Sequence, residues 1–138
     1  MGGFSTIGRS GREAGVPQVI EVSVTSAANA ASDTVLATVT AQPCIIESVI
    51  LRANTAQTTD LGSCSIYGGT GKVITFIDAG DATRANLDAT SKQIAWTGSV
   101  YLNTGETIVM EHNGTGSSAL DLTVIIKYCA VADGGYLT

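Results

Sequence analysis

From Ala119 to Cys129 the chain reads Ala-Leu-Asp-Leu-Thr-Val-Ile-Ile-Lys-Tyr-Cys. Leu120, Leu122, Val124, Ile126 and Tyr128 fall on one side at a spacing of two, with Asp121, Thr123 and Lys127 on the other. This is the alternation of a strand with one buried face. Ile125 and Cys129 make its second face only partly polar, which predicts a central strand covered in part on that side too, as by a neighbouring subunit. Seven further segments carry the same signal. Residues 18–25 place Ile20, Val22 and Val24 inward, and residues 34–40 place Val35, Ala37 and Val39 on one side. Residues 44–53 are apolar on both sides, Ile46 and Ile50 against Ile45, Val49 and Leu51. Shorter strands are predicted over 63–67 and 72–78. Ile94, Trp96, Val100 and Leu102 mark another, bent at Gly98 where a missing side chain permits a bulge. Residues 107–111 complete the set.

Eight strands separated by Gly, Asn, Thr and Pro predict an all-β fold, an antiparallel eight-stranded β-sandwich, jelly-roll-like. The longest stretch without strand character is 79–91, with room for one helical turn. Residues 1–17 hold five glycines and no period of either kind. They read as an extended N-terminal arm, flexible or bound to a partner, ahead of a single sandwich domain over 18–138. Seventeen extended residues reach about 50 Å, and Phe4, Ile7, Arg9 and Arg12 are the arm's candidate partner-binding residues. Tyr101, of opposite parity to Trp96, is the candidate on the body.

Composition narrows the function. Only 14% of residues are charged and 44% are hydrophobic, with a mean hydropathy of +0.28. The surface is therefore built from Thr, Ser, Asn, Gly and Ala, a surface that desolvates cheaply against other subunits. The net charge of −5 repels phosphate, which argues against a nucleic-acid partner. No apolar run is long enough to predict a membrane span. Three scattered cysteines, Cys44, Cys64 and Cys129, cannot all pair and lack zinc-site spacing, so they read as free thiols.

Candidate chemistry is thin. His112 is the single histidine, and no Gly-x-Ser-x-Gly elbow supplies it with a nucleophile. Gly68-Gly69-Thr70-Gly71-Lys72 departs from the phosphate-loop pattern at both ends and reads as a hairpin turn. Asp78, Asp81 and Asp88 share a loop region without calcium-loop spacing. No catalytic residue, metal or cofactor is expected, and the chain reads as a non-enzyme.

Two segments, Thr34 to Asn54 and Leu102 to Glu111, resemble in style the strand-turn-strand modules of small virion structural proteins of tailed bacteriophages, most of all head decoration (cement) proteins. The likeness spans about Gln18 to Tyr128 and carries over no functional residue. The resemblance implies a protein on the outer capsid surface of the virion, made in the host cytoplasm, that binds the major capsid protein as a homo-oligomer, with a trimer favoured. A tail or fibre adhesin, or a carbohydrate-binding sandwich using Tyr101, is the alternative.

Overall fold

The computed structural model describes residues 12–26, 32–57, 64–112 and 120–138. Phe4, Ile7 and Arg9 lie outside these described residues. The strands are β1 (Pro17–Ser26), β2 (Ser32–Thr40), β3 (Cys44–Ala53), β4 (Cys64–Gly68), β5 (Ile74–Ile77), β6 (Gln93–Leu102), β7 (Thr107–His112), β8 (Leu120–Ala130) and β9 (Tyr136–Leu137). One helical turn, α1 (Arg84–Leu87), sits inside the stretch that lacked strand character. Eight of the strands fall within two residues of their predicted spans. The ninth is an addition, because a two-residue strand leaves no alternation to detect.

The strands form two antiparallel sheets, ordered β1-β8-β3-β6 and β5-β4-β7-β2-β9. Within them β1 pairs with β8, β2 with β7, β3 with β6 and β4 with β5. This is one long hairpin rolled over on itself, the connectivity of a jelly roll. Pairings of β3 with β8 and β4 with β7 complete each sheet, and β9 adds outside β2. Between the sheets Ile46, Leu51, Ile66, Leu102, Ile108, Met110, Leu122 and Ile126 are fully buried. β8 is central in its sheet, and all five residues of its predicted inner face are buried.

Two bulges overturn the simple parity of β2 and β3. The β2 ladder shifts between Val35 and Ala37, so that Leu36 and Ala37 are both buried while Val35 turns outward at 58% exposure. In β3 the register shifts around Glu47; Ile46 shares the inner face with Val49 and Leu51, and Ile45 and Ile50 are left on the outer one. One extra residue in a strand exchanges its faces from there on, and strict alternation has no way to register it. The break expected in β6 is present, Gly98 and Ser99 standing opposite Glu47. Gly98 also makes room for the Trp96 indole, since a Cβ there would lie 2.6 Å from the ring. Trp96 in turn meets Phe76 edge-on at 4.7 Å, across the gap between the sheets.

After β8 the chain crosses from one sheet to the other. Tyr128, 2% exposed, anchors that crossing: its hydroxyl accepts the Leu137 N–H at 3.0 Å and donates to Gln18 Oε1 at 2.9 Å. Gln18 Nε2 donates to the Gly135 carbonyl, and β9 is thereby delivered to the edge of β2.

Candidate functional site

The outer face of the four-stranded sheet is the first candidate surface. Cross-strand pairing lines up Pro17, Cys129, Ile45 and Tyr101 in one row, and Glu21, Ile125, Ile50 and Ala95 in another. Ile45, Ile50, Ile125 and Cys129 are only half-buried, and Tyr101 is 55% exposed. Among the described residues, five charged side chains stand on this face, Glu21, Glu47, Arg52, Asp121 and Lys127. Lys127 and Glu47 sit near its centre, and Arg52 is held at one end, donating to Asn54 Oδ1 and Ser91 Oγ. Asn54 also accepts from Thr123 Oγ1 and donates to Asp121 Oδ1, so that end is a closed polar network. Burial, followed by a hydrogen bond to Glu47, raises the pKa of the Cys129 thiol.

The outer face of the other sheet carries a groove of about 410 Å³. It runs between the β4–β5 hairpin and the β6–β7 turn, with Val35 and Val109 among its lining residues. Lys72 reaches over it from the hairpin. Its ammonium bridges Asp33 on β2, at 2.8 Å, and Glu111 on β7, and lies 5.9 Å above the Tyr67 ring. Hydrogen bonds to these two carboxylates, Asp33 first, hold the lysine pKa above its ordinary value. Glu106 ties the two turns together, accepting from the Asn103 and Thr70 backbone N–H groups. The glycine-rich segment is thus the hairpin turn that its spacing predicted, and Lys72 itself sits at φ 59°, still in the turn.

Arg12 is engaged within the chain. Its guanidinium lies 3.8 Å from the centre of the Tyr136 ring, and its carbonyl accepts the Gly134 N–H at 2.7 Å. Ala14 N–H donates to Asp133 Oδ1, and Gly15 N–H to the Ala130 carbonyl. Residues 12–15 are therefore docked on the C-terminal segment. Arg12 leads into β1 and Tyr101 lies on β6, at opposite edges of the first sheet, so the structure does not bring these two candidates together.

The residues with chemical potential are dispersed. His112 is buried at the end of β7, opposite Ser32 and Cys64 in the neighbouring strands. Asp78 closes a turn by accepting from the Gly80 N–H, and Asp88 pairs with Lys92 at 2.6 Å. Among the described residues no three His, Cys, Asp or Glu side chains converge, and no helix is long and apolar enough to cross a membrane. All three cysteines are free, and burial pushes Cys44 up to about 11 and Cys64 up to about 12. Sequence reasoning missed the Lys72 bridge, whose partners lie 39 residues away in each direction.

No protein-family model matches the sequence, and no curated protein sequence matches it. Solved structures do. A chain from the capsid asymmetric unit of cyanophage Pam1 superposes with a TM-score of 0.54 at 16% identity, over 83% of this chain and 85% of that one. A chain from the capsid of Helicobacter pylori bacteriophage KHP30 gives a TM-score of 0.49 at 15% identity, over 89% and 98%. At such identity the first likeness is one of fold, and the second adds no weight to it.

Proposed function

We propose that this chain is a non-enzymatic structural protein of a phage virion, which binds the capsid lattice from outside as an oligomer and stabilises it. The observation that carries the reading is the rolled-hairpin connectivity of eight strands, matched along most of both chains by a component of a cyanophage capsid. The surface supports it. On a face bearing Ile45, Ile50, Ile125, Ala95 and Tyr101, fuller burial of each aliphatic side chain adds to adhesion. Many copies on a lattice turn modest contacts into firm retention. The N-terminal stretch read as an arm would extend this scheme by binding a neighbouring subunit, and Arg12 within it is fixed against Tyr136.

The test is addition of the purified full-length chain to undecorated phage heads. The expected result is saturable binding and a higher melting temperature of the heads, with weaker binding after deletion of residues 1–11. Failure to bind any head removes the proposal. Glycan binding that Tyr101→Ala abolishes would replace it with the adhesin reading.

A further inference from the structure

The two sheets leave four edges, and three of them are short or guarded. β5 has four residues; β9 has two and the stretch of β2 that it leaves uncovered carries Asp33; β1 begins at Pro17 and carries Glu21. Short length, proline and charge are the means by which proteins keep sheet edges from pairing with other chains. β6 has none of these. Its ten residues, Gln-Ile-Ala-Trp-Thr-Gly-Ser-Val-Tyr-Leu, hold neither charge nor proline. Among the described residues its backbone is hydrogen-bonded on the β3 side alone. The single interruption is the register shift at Gly98 and Ser99, which leaves Gln93 to Thr97 as an unbroken run.

We propose that β6 is a self-association edge, two copies of this chain joining antiparallel through Gln93–Thr97 about a two-fold axis at Ala95. A two-fold axis normal to the sheet makes the paired strands antiparallel, the more stable ladder. In this register Ala95 faces its own copy and Gln93 faces Thr97, all three exposed and uncharged. Ile94 faces Trp96 on the inner side, twice over. Both side chains are only partly buried at the margin of the core, and a second copy supplies the missing cover. Lys92, the nearest charge, falls opposite Gly98, which has no side chain, and is already paired with Asp88. A chain of net charge −5 repels its own copies over most approaches; this register sets no like charges opposite each other. Four strands from each copy then form one continuous eight-stranded sheet, and their outer faces merge. The proposal does not rest on the virion reading, and it sets the copy number at two where the sequence resemblance implied three.

The test uses the full chain and two substitutions, Ala95→Lys and Ala95→Glu. Sedimentation equilibrium of the wild type should show a monomer–dimer equilibrium. Trp96, the single tryptophan, should shift its emission to the blue as the dimer fills. Each substitution alone sets like charges face to face across the axis and should weaken association by about tenfold or more. An equimolar mixture of the two variants should recover it, because a lysine then meets a glutamate. Unchanged far-UV circular dichroism certifies the fold; where Ala95→Lys loses it, the double variant Gln93→Lys/Thr97→Lys, whose lysines face each other across the axis, replaces it, and Gln93→Glu/Thr97→Glu likewise replaces Ala95→Glu. The proposal is overturned by a monomer at every concentration, by a three-fold particle, by association that Ala95→Lys leaves intact, or by a mixture no tighter than its components.

Discussion

Replacing Tyr128 by Phe removes one oxygen and leaves the ring. That oxygen lies at the crossing between the sheets, where it accepts from the Leu137 N–H and donates to Gln18 Oε1. The bond to Leu137 is buried, so its amide loses its partner with no water to replace it, a cost of about 1–3 kcal/mol. Gln18 loses less, since its amide nitrogen keeps the Gly135 carbonyl and its position is only partly buried. The two add to about 2 kcal/mol, which lowers the melting temperature of a domain this size by roughly 6 °C. Urea unfolding should show an earlier midpoint with an unchanged slope, because the surface exposed on unfolding is the same. Amide exchange gives the local signature. Leu137 and Thr138 should exchange faster, since the β9 pairing and the reciprocal Thr38–Thr138 backbone bonds depend on the same anchor. A loss below about 0.5 kcal/mol, the range of an ordinary surface change, would refute the anchoring argument.

The thiols should divide by burial: Cys129 reacts first with an aromatic disulfide in the native chain, while Cys44 and Cys64 react only on unfolding, and rapid native labelling of all three would contradict the packing. Their titration carries a sign. The folded chain keeps the Cys44 and Cys64 protons up to about 11 and about 12, whereas the unfolded chain releases them near 9.0; stability is intact below pH 9 and falls as pH climbs above it, which urea midpoints at successive pH values will read. Gly98→Ala should cost about 1–3 kcal/mol as the new methyl displaces the Trp96 indole, with a change in tryptophan emission as the independent readout.

The fold was legible where strands obey strict alternation. Leu120 to Tyr128 alternates because one face meets the core along its whole length, and the opposite parity of Trp96 and Tyr101 correctly set Tyr101 outside. It was illegible where a bulge intervenes. Val35 and Leu36 are both apolar, and nothing in the order of residues says which of them the ladder to β7 will turn inward. The Lys72 bridge was hidden for a different reason: Asp33 and Glu111 become neighbours only once β2 and β7 are paired, a fact of topology and not of local pattern. Arg12, read as a contact for a partner, has the Tyr136 ring within the same chain, and no spacing between residues so far apart announces a cation stacked on a ring.

The Glu47 bulge decides which isoleucines the molecule keeps for itself. Strict alternation along β3 would give Ile46 and Ser48 the same face and set Val49 and Leu51 opposite Ile46. With the bulge, Cys44, Ile46, Val49, Leu51 and Ala53 all enter the core, and each is fully buried. The switch sends Ile45 and Ile50 outward on either side of the bulge, where they meet Cys129 and Ile125 of β8. Full burial of an aliphatic side chain is worth about 1.5–3 kcal/mol, and these residues have realised only part of it. A polar residue at either position would solvate that face better while leaving the core untouched. The folded monomer leaves the remainder of that gain unrealised. The rest of the gain would come from cover by another chain, and the proposed adhesion to a lattice would draw on this outer face of β3 and β8.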